Sequence, residues 1–426
     1  MNHRHLLLCT LVGIQSLSLF SSHTINKYFP LIETPEEYVN TRHSTTSIQL
    51  FLSSASTAFK ASDGGTTSIP ELEGTYELQN LIFGIQEATG NSSYNPFQDE
   101  IGYSDWNDKT IKFFVDGKVK SQGIMLEHQQ KIPNTPFFIG ASIPLMNVNT
   151  SQRFAIDHEG SDVSVRNASN GEALMLDRVR REVHSDLELS GDDWSTNGIG
   201  DIDLYFRFNK TLDHKLKMRT INFNLRSGVL IPTGKKRDYN YPSSVSFMGN
   251  SHWGLYTDVV AELELKQNWK LGFIYGITKQ FKKTHRTRIP VYQEPAPFSK
   301  IIGNLSVDPG LTFKLSPYFT LENISDGLNL QLRYSYISHQ KDAFYDRRTD
   351  QSIHCYLQRE HDNRWEKRNS SKWKMQYITF QLNYNSREAM QNWAFTPDIY
   401  FTYDYPFRGR GPSKAHKLSL GVGLHW

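Results

Sequence analysis

The pairing in this chain that comes nearest to nucleophilic chemistry is Ser338 beside His339, a hydroxyl next to a general base. Neighbouring side chains leave opposite faces of an extended strand, and Tyr334 and Tyr336 set Ser338 outward and His339 inward, so the two cannot work together. No His-x-Ser lies within the segments that read as strands, and the histidines are scattered without ligand spacing. No phosphate-cradling glycine–lysine loop is present, and two cysteines, Cys9 and Cys355, provide no CxxC. The sequence therefore nominates no catalytic residue, no metal site and no cofactor.

What remains is charge at regular spacing. Arg226, Asp258, Glu262, Lys270, Arg333 and Asp398 each fall on the polar side of a segment that alternates apolar and polar residues. Asn222, Asn224, Asn329, Gln331, Tyr400 and Thr402 share those sides. Facing one lumen, charges of both signs would either focus a field that sorts solutes or pair to stiffen a closed wall.

The elements that must position them are strands. Ile221, Phe223, Leu225, Val229 and Ile231 oppose Thr220, Asn222, Asn224 and Arg226, and Trp269, Leu271, Phe273, Tyr275 and Ile277 oppose Lys270, Gly272 and Gly276. From Lys109 onward about twelve such strands are expected, beginning with Thr110 to Val115 and Lys118 to Gln129 around an Asp116-Gly117 turn. Pro317 and Pro397 within strands predict bulges or displaced boundaries. Connections alternate long and short. Residues 146–197, 232–251, 282–307, 340–371 and 405–415 would lie on one side, and 131–135, 209–214, 266–268, 325–327 and 385–392 on the other. That sorting predicts an all-β, antiparallel, up-and-down transmembrane barrel over 109–426. Residues 23–108 would supply a plug or one further hairpin, making fourteen strands, and Glu172 to Glu182 a short amphipathic helix in an outer loop.

The two ends of the chain agree with a barrel. Residues 1–22 carry His3, Arg4 and His5, then an apolar stretch from Leu6, in the order of a cleaved secretory signal. Ser419, Gly421, Leu424 and Trp426 close an alternating strand, and this ending resembles the terminal assembly signal of bacterial outer-membrane β-barrels. The resemblance implies an outer-membrane location and recognition by the barrel assembly machinery. Trp269, Trp393 and Trp426 at inner strand ends, with Trp253, Tyr336 and Tyr403 at outer ends, would form two interfacial girdles. Trp373 fits neither girdle and needs a bulge or a lumenal role. Aromatics make up 13% of the chain although mean hydropathy is only -0.53, as strands that hide one apolar face require. A net charge of +3 is too small to point to nucleic acid.

Gly198-Ile199-Gly200-Asp201-Ile202 and Ser227 to Gly234, ending in Pro232-Thr233-Gly234, resemble segments of transporter-type barrels such as the long-chain fatty-acid transporter and aromatic-compound channels. That resemblance implies uptake of small solutes with the N-terminal segment as a hatch. The sequence thus predicts an outer-membrane channel for small solutes that contacts outer-membrane lipids and lipopolysaccharide. The alternatives are a structural or surface-recognition barrel using the loop 340–371 and, less favoured by the placement of Ser338 and His339, a lipid hydrolase.

Overall fold

The computed structural model describes residues 26–29, 44–100, 102–213, 219–349, 353, 371–386 and 396–425. Twelve antiparallel strands close on themselves: β1 (Thr45–Ala55), β2 (Lys112–Lys131), β3 (Phe137–Ile156), β4 (Ile202–Asp213), β5 (Thr220–Ile231), β6 (Gly254–Lys266), β7 (Trp269–Gln280), β8 (Leu311–Ser325), β9 (Leu328–His339), β10 (Trp373–Asn385), β11 (Thr396–Arg410) and β12 (His416–His425). Each strand pairs with its neighbour in sequence, and β1 pairs with β12 to complete the ring. The short segment Trp194–Ile199 continues β4 upward along β3, and Tyr76–Glu77 extends β2.

Alternation decides which side chains meet lipid. In β12, Leu418, Leu420, Val422 and Leu424 are 40–50% exposed, whereas Ser419 between them is 2% exposed. Ile48, Leu50 and Leu52 on β1, Phe273 and Tyr275 on β7, and Ile378 and Phe380 on β10 extend the same apolar coat around the wall. A continuous apolar belt of this size is unstable in water and matches a bilayer interior. The fold is that of an outer-membrane β-barrel.

Inside the wall, four tyrosines lie flat on glycines of the adjacent strand. Tyr205 covers Gly140, Tyr256 covers Gly228, Tyr318 covers Gly272 and Tyr400 covers Gly421, each pair being directly opposite in register. A Cβ on any of these glycines would stand 2.1–2.6 Å from the ring. Glycine is required there because the ring occupies the space of its side chain.

The strand count agrees with the expectation, but its make-up differs. Asp116 and Gly117 do not turn; they lie within the unbroken strand β2, and Gly117 accommodates Pro70, whose Cδ would be 2.5 Å from a Cβ. The twelfth strand is instead Thr45–Ala55, so the barrel does not begin at Lys109. Pro317 causes no bulge: the pairs Leu315–Tyr336 and Tyr318–Arg333 share one register across it. The wall does shift register at Gln376/Tyr377 opposite Arg408 and Pro406. Trp373 faces inward, buried and stacked on His339.

Long connections gather at one end, over 56–111, 157–193, 232–253, 281–310 and 340–372, and short ones at the other, as at Gln267–Asn268 and Asp326–Gly327. β4 runs on to Asp213, so its inner turn falls after the expected 209–214, and β11 runs on to Arg410, which shortens the expected loop at 405–415. The strands β2 and β3 have 20 residues each, about twice what a tilted strand needs to cross a bilayer. Their outer halves therefore project beyond it.

The projecting hairpin carries a folded cap. Helices α1 (Leu78–Thr89) and α2 (Asn170–Asp186) bury Leu81, Ile82, Ile85, Leu176, Val179 and Val183 against Phe113 and Val115 of β2. A capping box between Ser169 and Glu172 starts α2. In α2, Leu174 is 71% exposed, whereas Met175 beside it is buried. Tyr76 Oη lies 2.8 Å from His184 Nε2, and burial pushes the His184 imidazole down to about 3, so it is neutral at physiological pH.

Candidate functional site: the lumen and its outer closure

Arg226, Asp258, Glu262, Lys270, Arg333 and Asp398 all point into the barrel, and none is more than 6% exposed. Arg226 on β5 donates through Nη2 to Asp203 Oδ2 on β4 at 2.7 Å and through Nε to Tyr256 Oη at 2.9 Å. Its guanidinium lies 3.7 Å from the centre of the Tyr205 ring, whose hydroxyl donates to Glu127 at 2.8 Å. Asp258 stands opposite Arg226 in register. Nearer the short-turn end, Lys270 Nζ is 2.6 Å from Glu322 and 3.5 Å from Glu262. Glu262 also accepts from Asn222 at 3.1 Å and Tyr318 at 3.0 Å. Arg333 pairs in register with Tyr318 and Thr379, and Asp398 with Asn385 and Gly423. A buried charge is tolerable only when paired and hydrogen-bonded, and these networks lie along the wall where neighbouring strands supply the partners.

Towards the long-loop end the interior changes character. Phe51 and Ala55 of β1, Val119 and Met125 of β2, and Met146 and Val148 of β3 turn inward and are buried. Against them pack Val245, Phe247 and Met248 of the loop 232–253, together with Tyr28 and Phe29. Eight strands make a barrel that side chains can fill, and sixteen leave a water channel. Between these sizes, the outer part of this twelve-stranded bore holds inserted chain, and the contact between that chain and the wall is apolar.

The two motifs singled out for their glycines form the clasp on that closure. Asp201, 1% exposed, accepts the Gly234 amide at 3.0 Å through Oδ1 and the Gly249 amide at 2.8 Å through Oδ2. Thr233 Oγ1 donates to the Gly200 carbonyl at 2.6 Å and accepts the Ile202 amide at 3.2 Å. Beyond Phe247 the backbone turns sharply: Met248, Asn250 and Ser251 have φ of 50°, 51° and 64°. Non-glycine residues held in this left-handed region cost about 1–3 kcal/mol each. The N-terminal stretch is tied to the same rim: Asn26 Nδ2 donates to the Ser246 carbonyl at 2.7 Å, and Ser413 reaches the Lys27 and Tyr28 carbonyls at 2.9 and 2.7 Å. Glu73 joins Lys27 at 3.0 Å and Arg237 at 3.4 Å and accepts from the Tyr28 hydroxyl, and these cations hold its carboxyl well below the usual range despite burial.

Of the aromatic girdle residues, Trp269 is exposed at the short-turn end and Trp253 at the long-loop end. Tyr336 lies in the outer part of β9, and Tyr403 is hydrogen-bonded to His416 at the outer end of β12. Trp393 and Trp426 lie outside the described residues, as do residues 1–22 and most of the loop 340–371. Ser419 faces the lumen, Gly421 lies under Tyr400 and Leu424 meets lipid. His339 faces inward, with Nδ1 2.7 Å from Thr312 Oγ1 and Nε2 2.8 Å from Asp342, so both ring nitrogens already have partners. Sequence reasoning missed Phe247, Met248, Tyr28, Phe29 and Glu73. The available signal was Val245-Ser246-Phe247-Met248, an apolar run inside an otherwise polar loop.

No protein-family model matches the chain, and no curated protein matches it. Among solved structures, it is similar to an outer membrane channel from Pseudomonas putida F1, at 9% identity over 92% of this chain and 100% of that one, with a TM-score of 0.49. It is similar to the transport unit of the autotransporter AIDA-I from Escherichia coli at 7% identity over 93% of each chain, TM-score 0.36. It is also similar to a Pseudomonas aeruginosa FadL homologue at 8% identity over 90% of each chain, TM-score 0.31.

Proposed function

We propose that the protein is an outer-membrane channel for passive uptake of small solutes, closed in this conformation by an apolar plug at its outer end. The observation that carries this reading is the loop 232–253 seated inside the bore and clasped by Asp201. A barrel built only to stiffen a membrane has no use for a strained loop held by two charge-assisted hydrogen bonds. A loop that must come and go does, because left-handed residues at Met248, Asn250 and Ser251 lower the cost of leaving. Below the plug, the paired charges from Arg226 to Lys270 are almost wholly buried here, and once the bore opens and hydrates they would supply a field that selects solutes by charge.

Planar-bilayer recording and liposome swelling test the reading. The folded wild-type chain should give intermittent conductance, and a chain shortened across residues 244–249 should conduct steadily. A folded preparation of both that neither conducts nor admits solutes would sink the channel. The folded cap of α1 and α2 favours a second reading, a surface-recognition barrel, in which neither preparation conducts and removal of the cap abolishes binding to cells or ligands. Lipids and lipopolysaccharide around the belt, and assembly through the last strand, belong to the same outer-membrane setting.

A further inference from the structure

At the outer mouth, beside the plug, a cavity of 270 Å³ separates the loop 232–253 from a small three-stranded sheet, Lys283–Arg288, Ile302–Asp308 and Ala343–Asp346. Five cations line it, Lys27, Lys236, Arg237, Arg286 and Arg288, against two carboxylates, Glu73 and Asp342. Glu73 is already shared by Lys27 and Arg237, and Asp342 is held by His339 and the Gly310 amide. Lys236 and Arg286 form no ion pair among the described residues. Arg288, 3% exposed, donates Nε, Nη1 and Nη2 to the carbonyls of Tyr239, Ser299 and Glu188, so its guanidinium is fixed in the wall of the cavity and adds positive charge there. The field is felt by His285, which burial, His252, Lys236 and Lys283 together push down to about 4. Leu72, Leu305, Val307 and Phe344 add apolar surface to the same lining.

We infer that this cavity binds a small amphipathic monoanion, a carboxylate carrying a single ring or a short alkyl body, with the charge between Lys236 and Arg286 and the carbon body against Leu305, Val307 and Phe344. A volume of 270 Å³ has room for one ring or a short alkyl body. An inorganic anion would use the cations and leave the apolar wall unoccupied. As the entry site of a channel it rests on the reading above, whereas binding itself does not.

Titration calorimetry on the folded full chain separates these questions, with sodium benzoate, benzamide and inorganic phosphate as probes. Benzoate should bind at one site, benzamide at least tenfold more weakly for want of charge, and phosphate at least tenfold more weakly for want of an apolar body. A Lys236→Gln/Arg286→Gln double variant, at two exposed positions, should weaken benzoate at least tenfold while keeping the wild-type melting behaviour. Absence of benzoate binding, equal binding of benzamide, phosphate binding as tight as benzoate, or a double variant that binds normally would each overturn the site. Bilayer recording of the same preparations reports on the channel independently: benzoate binding without conductance would remove the channel and leave the site standing.

Discussion

The Gly249 amide donates to Asp201 Oδ2 at 2.8 Å across the outer rim, so one carboxylate on the wall holds the far end of the loop that fills the bore. The near end is held through Gly234 by the other oxygen of the same group. Asp201→Ala should therefore free the loop at both ends. Hydrogen bonds to a charged acceptor are worth about 1.5–3 kcal/mol each, so the open fraction should rise by tenfold or more. Single-channel open probability measures it, and an unchanged value would show that the loop is held by packing alone.

Asp203 and Arg226 form a buried pair whose removal is costly. Asp203→Ala leaves the guanidinium 2% exposed beside Tyr205 and Tyr256, with its nearest carboxylate, at 2.7 Å, gone. Breaking such a pair costs about 3–5 kcal/mol. A clear drop in melting temperature is expected, and Asp203→Ala combined with Arg226→Met should recover most of it. Melting of the detergent-solubilised barrel, followed by circular dichroism, decides the matter.

Gly421 lies under the Tyr400 ring, and an added Cβ would stand 2.1 Å from Cζ. Gly421→Ala should slow or prevent closure of β11 on β12, and Gly421→Ala with Tyr400→Ser should fold again. The shift between folded and heat-unfolded forms on a gel reads this directly. If the single variant folds as well as the wild type, the ring is free to move and the close fit has no role.

Glu294 in the outer connection is buried against Gly84 of α1, which would place a Cβ 3.0 Å from its carboxyl carbon. Burial pushes its carboxyl up to about 7, partly offset by amides of Val291 and Tyr292 that donate to it. An acid whose folded pKa is raised loses stability as pH climbs from its unfolded value of 4.5 to about 7, by at most on the order of 3 kcal/mol. Hydrogen exchange in 78–89, corrected for intrinsic rate, should thus show a looser α1 at pH 8 than at pH 5. Glu294→Gln should remove the difference.

Much of the wall was legible because period two is imposed by lipid on one side: Leu418 to Leu424 could be read without a structure. The strand Thr45–Ala55 was harder for a physical reason. Its outer half puts Phe51 and Ala55 on the inner face, where they meet the plug, so apolar residues lie on both sides and the alternation fades. The same apolar zone hid the plug, since Phe247 reads as a stray aromatic until its partners from β1, β2 and β3 are known. Asp116-Gly117 misled in the opposite way. Its turn chemistry is genuine, but here glycine is kept for the close approach of Pro70, a contact with a residue far away in sequence.

Thr45 lies opposite His425 and Ala55 opposite Val119, which makes β1 the piece that joins the two ends of an eleven-stranded curved sheet. Only β1 has both its partners far from it in sequence. Until it arrives, β2 and β12 each present a bare edge of amides and carbonyls inside a hydrocarbon phase that offers them no water. Insertion of that single ribbon is thus the step that turns a leaking half-pipe into a sealed tube, and a chain lacking residues 44–55 should remain an unfinished gutter prone to pairing with its copies.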